Sequence, residues 1–208
     1  RFTLADADSL LNLASYRTFD QPVQCTVSGA AVLRLAGLGV TGTGRFTADD
    51  DVSGYPVATV DGSVRNELTL ETNFRTGDLK LMLTPAYATF EAASEDVGTM
   101  DPGDDVFEFG ELTVQPPAVR GGQVDQIVFV ENFNNGNRGD VEMPEAVYIT
   151  GHDGFDGIQA LNGSTLILNG LNLYVFDSGS WINLQDGLPP VGAVSYKDGF
   201  VANRLARS

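Results

Sequence analysis

From Pro22 onward, apolar residues recur at every second position, in short runs that glycine or proline interrupts. No other feature constrains the fold as much, because side chains of an extended strand point alternately to opposite faces. The stretch 63–84 shows it best. Val64, Leu68, Leu70 and Phe74 share one parity with Asn66 and Thr72, "RTGD" follows at 75–78, and Leu79, Leu81 and Leu83 share one face of a second run. Two such runs around a tight polar turn predict a β-hairpin.

Elsewhere the alternation slips by one residue at a glycine. In "DVFEFGELTV", Phe107 and Phe109 lie on one parity, then Gly110, then Leu112 and Val114 on the other. In "TLILNGLNLYVF", Leu166 and Leu168 give way after Gly170 to Leu171, Leu173 and Val175. An extra residue that restores the inward face is what a β-bulge supplies. "QVDQIVFVENF" (123–133) is apolar on both parities at its centre, as a strand covered on both sides would be. Short strands between frequent glycines and prolines, with no internal repeat evident, predict an all-β fold. The expected form is an antiparallel β-sandwich, jelly-roll-like, or a barrel with bulged strands. Two readings of "RFTLADADSLLNLASY" stay open: a short N-terminal helix capped by Thr3 and Asp6, or a strand beginning at Phe2 and Leu4. The expected organisation is an N-terminal segment 1–21, detachable or exchanged with a neighbouring subunit, and one β domain over 22–208. "QPPAVRGG" at 115–122 reads as a long connection.

With 208 residues the chain can bury roughly 70% of its unfolded surface, enough for a core without disulfides. The single cysteine, Cys25 in "VQCTV", permits no internal disulfide and reads as a small apolar strand residue. Charge is lopsided: 28 acidic residues against 12 basic, a formal net charge of −16, with Lys80 and Lys197 the only lysines. Such a surface repels phosphate backbones and anionic lipid, which argues against nucleic-acid partners and membrane insertion. Low lysine with abundant Asp, Gly, Thr and Asn suggests a secreted bacterial protein, extracellular or at the cell surface.

Candidate chemistry is concentrated in acidic loops. In "TADDDVSGYP" (47–56), Asp49, Asp51 and Ser53 before Gly54 match the first half of a calcium loop, with oxygens at alternate positions and a glycine to turn. Val60 stands where an EF-hand needs a bidentate glutamate, so the alternatives are a looser Ca²⁺ turn between strands and a solvated polar turn. "DPGDD" (Asp101, Asp104, Asp105) and "GHDGFDG" (Asp153, Asp156) are weaker versions of the same signal.

The string "YVFDSGSW" (174–181) resembles the active-site turn of aspartic proteases, where two such aspartates share a proton and activate water. That resemblance implies a catalytic Asp177 supported by Ser178. No second Asp-Thr/Ser-Gly occurs, which excludes a two-lobed enzyme, and a strand ending in an Asp-Ser-Gly turn explains the same residues. His152 is the only histidine, so a multi-histidine metal centre is ruled out. "NRGD" (137–140) contains the tripeptide integrins read, and "NGS" (162–164) is a glycosylation sequon. Trp181 with Tyr148, Tyr174 and Tyr196 reads either as core or as an aromatic platform for a sugar ring.

With no catalytic constellation, the sequence points away from an enzyme. It points to a structural or adhesive subunit of an extracellular bacterial assembly (filament, pilus-like or surface layer), whose copies associate by β-strand addition. The alternatives are a calcium-dependent carbohydrate-binding module that takes a surface glycan and, behind it, an aspartic-type or glycoside hydrolase.

Overall fold

Alternation does produce strands, and the computed structural model places them in successive turns of one winding path. It describes residues 2–5, 10–13, 17–19, 24–28, 31–40, 45–49, 55–68, 74–84, 87–91, 94–99, 106–115, 126–130, 132–133, 145–151, 157–160, 163–190, 192–196 and 199–203. The first coil is β1 (Phe2–Ala5), β2 (Leu10–Leu13) and β3 (Arg17–Phe19). The second is β4 (Gln24–Ser28), β5 (Val32–Leu35) and β6 (Leu38–Val40), and the third is β7 (Arg45–Asp49), β8 (Val57–Val60) and β9 (Val64–Asn66). In the fourth, β10 (Phe74–Leu83) spans two sides before β11 (Tyr87–Glu91). A short β12 (Ser94–Glu95) precedes the fifth, formed by β13 (Glu108–Val114), again two-sided, and β14 (Gln126–Phe129). The sixth is β15 (Glu145–Ile149), β16 (Ile158–Ala160) and β17 (Thr165–Ile167). The end comprises β18 (Asn172–Asp177), β19 (Ser180–Asn183), β20 (Ala193–Tyr196) and β21 (Gly199–Ala202).

Each strand lies in parallel register on its counterpart in the next coil. Phe2 pairs with Cys25, Cys25 with Phe46 and Phe46 with Phe74 on the first side. Leu13, Leu35, Val60 and Leu83 follow one another on the second, and Leu38, Val64, Phe90 and Phe129 on the third. Because β10 and β13 run through the first corner, sides one and two form a single 13-stranded sheet. Side three, extended by β20, is an 8-stranded sheet.

The expectation of an all-β, layered molecule holds: two sheets enclose one core, and no helix occurs among the described residues. The antiparallel, jelly-roll-like or barrel connectivity is corrected. Antiparallel pairing is confined to β12–β15, β18–β19 and β20–β21, and every other described ladder is parallel. The hairpin at 63–84 is corrected as well. "RTGD" lies inside β10, where Thr76 pairs with Phe109 and Lys80 with Glu111, so three residues stand against Gly110 alone. The chain turns a corner there and continues forward. Within the N-terminal segment the described residues are strands that pair with the second coil, not a helix.

Burial follows the parity read from sequence. Leu79, Leu81, Leu83, Phe107, Phe109, Leu112, Val114, Leu166, Leu168, Leu171, Leu173 and Val175 all lie in the core. The slip at Gly110 is the corner between two sides, and the slip at Gly170 is a turn in which Asn169 and Gly170 both take positive φ. Asn66 is buried at a third corner, where its Oδ1 accepts the Leu68 N–H at 3.1 Å. β14 alternates after all, with Ile127 and Phe129 inward and Gln126 and Val128 half-buried, so it is covered on one face only.

Stacking in register brings rings into contact. Phe46–Phe74, Phe74–Phe109 and Phe90–Phe129 centroids lie 6.0, 5.8 and 5.1 Å apart, and Phe90–Phe109 joins the two sheets at 5.3 Å. Each such pair contributes about 0.5–1.5 kcal/mol beyond its buried area. Close stacking also sets the corners: a Cβ on Gly62 would lie 2.0 Å from the Ala36 carbonyl oxygen. Phe109→Ala, which empties the junction between sheets, is expected to cost about 3–5 kcal/mol in denaturant unfolding. Gly62→Ala is expected to lower the unfolding midpoint as coils two and three are forced apart; an unchanged midpoint in either variant contradicts the stacking described.

Candidate functional site

Two groups of polar side chains stand on the outer faces, each assembled from different coils. The first surrounds a tyrosine pair. Tyr148 and Tyr174 are register neighbours on β15 and β18, and their rings stack at 4.9 Å with 13° between planes. Segment 94–99 crosses over them. The Tyr148 hydroxyl accepts the Val97 N–H at 2.9 Å and donates to the Gly98 carbonyl at 3.2 Å. The Tyr174 hydroxyl donates to Asp96 Oδ1 at 2.9 Å, and Asn172 Nδ2 donates to Asp96 Oδ2 at 2.5 Å. Trp181 sits edge-on to Tyr148 at 5.4 Å and packs at 5.3 Å against Phe176, which is 42% exposed.

Burial favours the neutral form of both phenols. It pushes Tyr148 up to about 12. Tyr174 is raised further still, by burial first and then by its hydrogen bond to Asp96. The platform reading of Trp181, Tyr148 and Tyr174 is thereby narrowed: both tyrosines are buried beneath 94–99, and only Trp181 and Phe176 reach the surface. The Tyr196 side chain lies outside the described residues.

The second group lines a cleft of about 340 Å³ on side three. Thr89 pairs beside Ser63, and both its N–H and its hydroxyl donate to Ser63 Oγ at 3.1 Å. Two residues further along the same two strands, Glu91 is the register partner of Arg65. Arg65 forms an ion pair with Glu67. Glu91, 3% exposed, accepts the Asn132 N–H at 2.7 Å and the Phe133 N–H at 3.4 Å, which draws that segment over the sheet as a wall. No sequence spacing singled out these residues, because they come together only through stacking.

The residues singled out as Ca²⁺ ligands fall as follows. Asp49 closes β7 opposite Ser28, and its side chain, like Asp51 and Ser53, lies outside the described residues. Asp101, Asp104, Asp105, Asp153, Asp156, His152 and the Arg138–Asp140 tripeptide do too. In the chain, residues 50–54 fall between β7 and β8 and residues 152–156 between β15 and β16, three coils apart, whereas 101–105 precede β13. Among the described residues no group of three His, Cys, Asp or Glu side chains is placed to hold a metal. Asp177 stands exposed at a hairpin tip. It pairs with Ser180, and Ser178 and Gly179 between them have φ of 51° and 88°, as a two-residue primed turn requires. No family model matches the chain, and no curated protein or solved structure matches it either.

A group whose folded-state pKa is raised stabilises the fold below its unfolded value near 10 and loses that contribution as pH climbs through the folded value. Stability is therefore expected to fall between about pH 10 and 12. In a spectrophotometric titration, a late phenolate wave should lose amplitude in Tyr148→Phe and in Tyr174→Phe. A titration curve identical in wild type and both variants contradicts the buried pair.

Proposed function

We propose that the protein is a structural or adhesive subunit of an extracellular assembly, whose copies join by β-strand addition at the first coil. The observation that supports this reading best is the difference between the first and the last of the described coils. Among the described residues β1, β2 and β3 are each paired on one side only, with β4, β5 and β6. They offer rows of backbone N–H and C=O groups on three sides, already held in extended register. Such edges are templates for another strand.

At the opposite end the chain doubles back. β19 and β20 lie antiparallel on β18 and β21, which ends the parallel register that carried one coil onto the next. Residues 1–21, which contain the three edge strands, are on this reading the joining segment. The net charge of −16 favours contact through backbone at an edge over contact through acidic lateral faces. Two copies meeting edge to edge about a two-fold axis satisfy both edges at once, because the same surface serves on each subunit.

Successive N–H groups of a strand point to opposite sides, so of Thr3→Pro and Leu4→Pro one removes an outward donor and the other a bond to β4. The outward-facing variant is expected to dissociate the assembly in light scattering and electron microscopy while keeping the wild-type circular dichroism and unfolding midpoint. Wild-type protein that stays monomeric, or assembly that survives both substitutions, overturns the reading.

A further inference from the structure

The cleft on side three plays no part in joining at the first coil, and its composition indicates a ligand of its own. We propose that it binds a neutral saccharide of one or two rings. Its volume of about 340 Å³ lies at the lower end of the range for small-molecule sites, roughly 300–1,000 Å³, which sets the size of the ligand. Donors and acceptors alternate along the walls. Ser63 Oγ accepts both bonds from Thr89, so its own hydroxyl proton remains to donate. Arg65 and Glu67 place a forked donor beside a carboxylate acceptor, the complement of two adjacent sugar hydroxyls, each of which both gives and accepts a proton. Phe133 adds an apolar face at the wall that Glu91 fixes in place.

Charge decides between ligand classes. An anion would meet Glu67 and Glu91 on a chain of net charge −16, and a cation would find both carboxylates engaged, Glu67 by Arg65 and Glu91 by the Asn132 and Phe133 N–H groups. A neutral polyol avoids both conflicts. The site is also open where it needs to be. Gly39, the register partner of Arg65 in the coil before, carries no side chain to fill the outer face on that side.

The test is an ¹⁵N-resolved NMR titration of the whole chain with methyl glucoside, methyl galactoside and methyl mannoside, each taken to about 50 mM, enough to saturate a site of about 1 mM affinity. At least one glycoside is expected to shift the amides of Ser63, Arg65, Thr89 and Phe133 in a saturable way. Arg65→Ala and Ser63→Ala are both expected to weaken that binding about tenfold or more, and Arg65→Ala, at an exposed position, to do so with an unchanged unfolding midpoint. No saturable shift at the cleft with any of the three overturns the proposal. So do shifts confined to Phe176 and Trp181, binding unaffected by either substitution, or galacturonate or glucosamine binding more tightly than the neutral glycosides.

Discussion

Every parallel ladder among the described residues depends on one constraint: each coil must lie in register on the next, because its backbone groups find their partners there. Parallel strands cannot be joined by a tight turn and need a crossover of a dozen or more residues. Here the other two sides of the coil are that crossover. One winding path thus meets the covalent requirement and the hydrogen-bonding requirement together, and no coil can satisfy its strands alone. Registered stacking then fixes what each position can hold. Phenylalanines pile on phenylalanines in the core. Corners such as Gly62 over Ala36, and Gly199 over Ser164 and Ala160, leave no room for a Cβ.

Much of this is legible in the sequence, and what is not has a physical reason. Parity tells which side chains go inward, and Val64, Asn66, Leu68, Leu81 and Phe109 lie where it puts them. Parity says nothing about strand direction, since a strand alternates identically in either. "RTGD" has the composition of a hairpin turn, yet the chain there, two residues longer than the strand beside it, bends around a corner that Gly110 turns alone in the next coil. The repeat is hidden by its unequal length. Cys25 stacks on Phe46, 21 positions on, whereas Phe109 stacks on Ile149, 40 positions on. Extra residues accumulate between strands, where length costs little, while the paired rungs keep their register.

The outer faces were less legible than the core. Tyr148, Tyr174 and Trp181 were recognisable as a group, but the segment that covers two of them is separated by some 50 residues of sequence, and only the fold brings Asp96 to the Tyr174 hydroxyl. The cleft is harder still to foresee, since residues 63–67, 89–91 and 132–133 belong to three coils. Stacked coils convert such distant, individually unremarkable residues into one surface. The two outer groups use that property differently: one buries its phenols beneath a crossing strand, while the other keeps its hydroxyls and its ion pair open to solvent.

Strand direction in the central coils tests the account most directly. Inter-strand nuclear Overhauser contacts between β10 and β13 are expected to ascend together, from Thr76 with Phe109 through Lys80 with Glu111 to Leu83 with Val114. Contacts that run in opposite senses along the two strands, or a close pairing of Thr76 with Leu79 across a hairpin, would contradict it.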